Sequence, residues 1–135
     1  MSKIKKIALA LVLVGNTASA SALPPIHEDP NILGGFYAIG LADEVRRNCP
    51  NISARLFRAY SYLKALENYA RDVGYTQEDI DGLTANREEK QRLADRIRAD
   101  LAARGAMPGA VEGYCVVGRE EIASDSAAGR LLRGK

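Results

Sequence analysis

The sharpest chemical pattern in the sequence resembles a calcium-binding loop. With Gly82 aligned to the invariant glycine, four residues fall at positions one, three, five and twelve of the consensus: Gln77, Asp79, Asp81 and Glu88. Position one is Gln where the consensus has Asp, and position eight is Thr84 where an apolar residue is usual. The same residues also fit the start of a helix, where acids favour the positive end of the dipole. We predict no metal ligands here, and the calcium affinity of the segment stays open.

The other candidates for catalysis are a single histidine and two pairs of adjacent acids. His27 lies in a proline-rich segment, so a serine or cysteine triad, or a zinc site, would require that segment to form the active site. Adjacent residues on a helix point about 100° apart, so neither Glu88–Glu89 nor Glu120–Glu121 converges on one substrate. Glycine-rich phosphate loops are absent from the sequence. We predict no catalytic residues and no cofactor, and His27 as a loop residue.

The two cysteines, Cys49 and Cys115, form the remaining reactive pair. In an oxidising compartment an even number of cysteines predicts a disulfide. Two buried free thiols and a redox pair are the alternatives. The spacing is unlike C-x-x-C and neither cysteine has an activating neighbour, which disfavours redox activity. We predict a structural disulfide between Cys49 and Cys115.

The N-terminal residues have the three parts of a secretory signal peptide. A positive region with three lysines precedes the apolar run 7–14, and small residues follow as far as Ala22. We predict a signal peptide over residues 1–22, cleaved after Ala22 or after Ala20, and hence a periplasmic or secreted protein. No later apolar run approaches the roughly 18 residues of a membrane span, so we expect no transmembrane segment after cleavage.

Charge and length limit the function classes of the trimmed chain. Removing residues 1–22 from the 135-residue chain leaves 113 residues, with 16 basic against 17 acidic side chains. A near-neutral surface with interleaved signs lacks the basic footprint of nucleic-acid binding, so we expect no nucleic-acid partner. The length suits one domain with a modest core.

Residue spacing predicts an all-α fold of five or six helices. We expect an extended lead-in over residues 23–35 and a helical domain over residues 36–135. The clearest helix starts at Asn51 or Ser53 and ends at Val73, with a heptad stripe around which we expect the bundle to form. The other predicted helices span residues 36–48, a segment opened by the capping box Thr76–Asp79, residues 87–104, residues 114–123, and a last turn through Leu132.

Two blocks, residues 40–76 and 114–133, resemble a family of short exported alphaproteobacterial proteins known only as a domain of unknown function. The resemblance rests on Asn48-Cys49-Pro50 with the aromatic-rich helix that follows, and on Cys115 with residues 118–122. It implies periplasmic placement and pairing of the cysteines, and it transfers no activity. We expect an interaction or structural module that binds another envelope protein. A small stress chaperone or enzyme inhibitor is the alternative, and a hydrolase ranks below both.

Overall fold

A computed structural model describes residues 22–135. The predicted signal peptide lies outside the described residues, except for Ala22. Five helices and two short strands follow in order: α1 (Pro30–Asn48), β1 (Ile52–Ala54), α2 (Leu56–Val73), α3 (Gln77–Ala85), α4 (Arg87–Ala103), α5 (Val111–Ala123) and β2 (Leu132–Gly134). The predicted helical class with one disulfide is confirmed.

Helix α1 begins at Pro30, six residues before the predicted start. The Asp29 carboxylate accepts hydrogen bonds from the backbone N–H groups of Asn31 and Ile32, at 2.9 and 3.1 Å. Pro30 occupies the first helical position, where its missing N–H costs nothing. A 3-10 turn at Ile26–Glu28 precedes this cap. The prediction of an extended segment over residues 23–35 is therefore wrong over most of its length.

Helix α1, and not the heptad helix α2, lies at the centre of the fold. Its buried face is built from small and aliphatic residues: Ile32, Gly35, Ala38, Leu41, Ala42 and Val45. A Cβ added at Gly35 would overlap Leu66 of α2, and one added at Gly40 would overlap Ile97 of α4. The two glycines therefore allow α2 and α4 to pack closely on α1. The prediction of a bundle formed around α2 is wrong, because Ala70 is the one fully buried residue of that helix.

The segment before α2 is a strand, where a helix was predicted from Asn51 or Ser53. Residues Ile52–Ala54 pair antiparallel with Leu132–Gly134, so that Ile52 lies opposite Gly134 and Ala54 opposite Leu132. The predicted last helical turn is correspondingly a 3-10 turn at Gly129–Leu131 followed by β2. Ile52 and Leu132 are both buried, so the pairing closes one side of the core.

Candidate functional site

The disulfide joins Cys49, at the C-terminal end of α1, to Cys115 in α5. Both cysteines are buried in the main core cluster, together with Val45 and Val117. A buried disulfide has no access to a substrate thiol, which fits a structural bond better than a redox centre. The predicted pairing is confirmed.

The calcium-like segment is folded as a helix. Residues Gln77–Ala85 form α3, and Glu88 lies in the next helix, so no loop encloses a cation. Asp79 completes the predicted capping box, accepting from the backbone N–H and the hydroxyl of Thr76 at 2.8 Å each. These bonds, the backbone one first, lower the pKa of Asp79. The acids of this segment are therefore explained by a helix start. Within residues 22–135, the structure brings no three metal-ligating side chains together.

Each pair of adjacent acids is engaged in ion pairs with one arginine. Arg104, at the end of α4, donates to Glu121 at 2.6 Å and to Glu120 at 2.9 Å, which ties α4 to α5. Arg92 pairs in the same way with Glu88 and Glu89 on its own helix. An arginine side chain bridges the two carboxylates of each pair, so both pairs have a structural role.

His27 lies in the 3-10 turn before α1 and not in an irregular loop. Its Nε2 is 3.9 Å from Glu89 Oε1 of α4 and 3.7 Å from Glu28 Oε1. The histidine thus sits between the N-terminal segment and α4, where it lines a pocket together with Thr84 and Lys90.

The largest unexplained feature is an apolar flank on α2, made of Leu56, Phe57, Tyr60 and Leu63. Their exposed fractions are 74%, 83%, 62% and 41%. Leu56, Tyr60 and Leu63 follow the spacing i, i+4, i+7, so they share one side of the helix. Contiguous exposed apolar patches are typical of sites that bind proteins, membranes or ligands.

An apolar groove continues from this flank, first between α1, α2 and α3 and then between α1, α3 and α4. It consists of two adjoining pockets of about 220 and 200 Å³, which share Ile32, Phe36, Leu83 and Thr84. Leu63 belongs both to the flank and to the first pocket. Both pockets are lined mainly by aliphatic and aromatic side chains, so an apolar group is the occupant that the groove suits.

Charge is distributed unequally along α2. No acid occurs between Asn51 and Leu66, whereas α3 has three acids and no base. Arg58 and Arg133 line a shallow pocket with Leu56 and Phe57, and within residues 22–135 neither arginine forms an ion pair. Glu67 and Asp81 line the groove at the other end. Lys64, which donates to Glu67 at 2.5 Å, lowers the pKa of Glu67 and keeps it ionised.

Sequence reasoning identified the heptad stripe but assigned it to the interior. The C-terminal part of the stripe packs on α1, through residues such as Leu66 and Ala70. Leu56 and Leu63, in the N-terminal part, are exposed. The residue that distinguishes the two parts is Gly35 of α1, because Leu66 of α2 packs against it and this contact sets which side of α2 faces inward.

The protein is thus a small helical domain with one buried disulfide and with an exposed apolar flank on α2. The chain matches the model of a family of unknown function, DUF5333, over residues 24–133, and it belongs to that family. Comparison with curated proteins and with solved structures gave no match. None of the helices in residues 22–135 combines the length and the apolar character needed to cross a membrane.

Proposed function

We propose that this chain is a non-catalytic interaction module that works outside the cytoplasm and binds another envelope protein through the apolar flank of α2. The observation that carries the proposal is the flank itself. Four large apolar side chains project from the first two turns of one helix, next to an apolar groove. Burying such side chains contributes roughly 1.5–3 kcal/mol each, which offsets part of the cost of association.

The placement outside the cytoplasm rests on two features. The N-terminal residues match the pattern of a secretory signal peptide, and the chain contains one disulfide between its two cysteines. Structural disulfides persist in oxidising compartments and are rare in the cytosol. Sequencing the N-terminus of protein recovered from the periplasm or medium tests this placement. We expect a start at Leu23 or Ser21, and Met1 would overturn it.

The absence of catalysis rests on how the candidate groups are used. Arg104 binds the adjacent carboxylates of α5, and the carboxylate of Asp79 accepts hydrogen bonds from Thr76 in the capping box. The cysteines are joined and buried. A general base or nucleophile needs a free, accessible atom beside a substrate site, and these groups have other partners.

Partner binding is tested by chemical cross-linking and affinity capture from envelope extract with three proteins. The wild type should capture a defined partner. Leu56→Glu should capture at least about tenfold less of this partner, because a charge buried unpaired in an apolar interface costs several kcal/mol. The matched control is Val111→Glu, the same change of chemistry at an exposed residue of α5.

Both substitutions lie on the surface and should leave the melting temperature nearly unchanged. Equal capture by Leu56→Glu and the wild type would contradict the proposed site. Equal loss in Val111→Glu would show that added charge alone weakens capture, and would contradict it as well.

A further inference from the structure

A second cleft, separate from the α2 flank and its groove, lies where the C-terminal parts of α1 and α4 meet the start of α5. Its volume is about 480 Å³, within the roughly 300–1,000 Å³ that is typical of small-molecule sites. None of the residues that line it lines the apolar groove. The cleft therefore requires an explanation of its own.

The most buried polar side chain of this cleft is Tyr114 of α5, which is only 5% exposed. Within residues 22–135, every fully enclosed side-chain nitrogen or oxygen has a hydrogen-bond partner. The Tyr114 hydroxyl forms no hydrogen bond with another described residue, so it must reach the surface, and the cleft is where Tyr114 does so. Buried tyrosines usually direct their hydroxyl at a partner, and a ligand atom in the cleft would supply one.

Two opposite charges line the same cleft without closing a tight ion pair. Arg98 Nη2 is 3.4 Å from Glu44 Oε1, whereas Arg104 approaches its two carboxylates on α5 to 2.6 and 2.9 Å. The amide nitrogen of Asn48 donates to the backbone carbonyl of Glu44 at 2.8 Å, which leaves the amide oxygen as an acceptor. The cleft thus offers a cation, an anion and two uncharged polar groups to a ligand.

The remaining wall of the cleft is apolar and made of small side chains. Ala99 and Ala102 of α4 and Ala106 after it leave room beside the polar groups. Met107 lies next to them and is 48% exposed, and its flexible side chain can adapt to an apolar group. An aliphatic side chain of a ligand would fit against this wall.

We propose that this cleft binds a free α-amino acid with an apolar side chain. Arg98 and the Tyr114 hydroxyl donate to its carboxylate, and Glu44 and the Asn48 amide oxygen accept from its ammonium group. One wall cation and one wall anion complement a zwitterion better than a ligand of single charge. This inference goes beyond the proposed function and does not depend on it, because the α2 flank takes no part.

The first test is a nuclear magnetic resonance titration of the purified chain with L-leucine and two analogues. Isoamylamine lacks the carboxylate of leucine, and isocaproate lacks its amine. We expect L-leucine to bind with a dissociation constant below about 1 mM and each analogue to bind at least about tenfold more weakly. Equal binding of either analogue, or no binding of L-leucine, L-methionine or L-phenylalanine at millimolar concentration, would overturn the proposal.

The second test assigns each charge to one end of the ligand. Arg98→Met should weaken L-leucine at least about tenfold and leave isoamylamine unchanged, since the amine has no carboxylate to lose a partner. Glu44→Gln should weaken L-leucine similarly and leave isocaproate unchanged. Arg119→Met, at an exposed ion-paired arginine that does not line the cleft, is the control and should bind L-leucine as the wild type does. A variant at residue 44 or 98 that weakens all three ligands equally would contradict the assigned contacts.

The third test changes the hydroxyl and the space of the cleft. Tyr114→Phe should weaken L-leucine about fivefold to tenfold with little change in melting temperature, because the hydroxyl has no partner among residues 22–135. Ala102→Phe should fill the cleft and abolish binding. Ala103→Phe, the same change at the next exposed residue of α4, lies outside the cleft and should keep it. Circular dichroism establishes that each variant is folded, and equal L-leucine affinity in the two alanine variants would overturn the site.

Discussion

Removing the disulfide between Cys49 and Cys115 should lower the free energy of unfolding by several kcal/mol. The double variant Cys49→Ala, Cys115→Ala opens a cross-link between cysteines 66 residues apart. On the loop-entropy model, closing a loop of that length destabilises the unfolded chain by about 4 kcal/mol. Domains are typically stable by about 5–15 kcal/mol, so the variant should lose a large part of its free energy of unfolding.

Urea unfolding followed by circular dichroism measures this loss. The wild type, the wild type with the bond reduced, and the double variant form one series. Reduction removes the cross-link and keeps the sulfur atoms, so the step from reduced wild type to double variant reports packing around Cys49 and Cys115 alone. We expect most of the loss in the first step. A total loss below about 1 kcal/mol would refute the loop-closure reasoning.

Three further predictions concern single residues. Burial, with a hydrogen bond to Asp100, raises the pKa of Tyr37 to about 12, so ultraviolet titration should show a late-titrating tyrosine that Tyr37→Phe removes. Gly129→Ala should destabilise by about 1–3 kcal/mol in urea unfolding, because its Cβ would overlap the carbonyl oxygen of Glu121. The capping bonds of Asp79 should protect the amides of α3 from hydrogen exchange until the pH falls below the ordinary Asp value of 3.8.

Each of these has a matched control and a contradicting result. The neutral form of Tyr37 is favoured in the folded chain, so its contribution to stability is present below pH 10 and lost as the pH rises towards about 12. Tyr37→Phe should flatten that loss. Gly34 has open space around it, so Gly34→Ala should stabilise the protein by up to about 1 kcal/mol. Equal effects of the substitutions at Gly34 and Gly129 would contradict the overlap between the added Cβ at Gly129 and Glu121. Asp79→Asn should remove the acid dependence of α3, and its persistence would contradict the cap.

Local rules predicted the helices whose ends are set by neighbouring residues. The capping box at Thr76 and Asp79, the Asn86 cap of α4 and the left-handed Gly74 after α2 are all formed by residues within a few positions of each other. The cysteine pairing followed from their number and from the compartment expected.

The misplaced features depend on contacts distant in sequence. Strands β1 and β2 each span three residues and pair across about eighty positions, so neither has a period that a sequence pattern can show. Pro30, Gly35 and Gly40 resemble helix breakers, yet they start α1 and allow other helices to approach it. Heptad spacing identified a helix-packing surface on α2 but not which half of it stays exposed.

Photo-cross-linking in the producing cells tests the binding surface most directly. A photoreactive phenylalanine analogue replaces Phe57, the most exposed apolar side chain of the flank, and Val111 on α5 serves as the control position. We predict a strong adduct of defined mass from position 57, at twice the chain mass if the partner is a second copy, and little from position 111. No adduct at position 57, or equal adducts at both positions, would contradict the assignment of the α2 flank as the interaction surface.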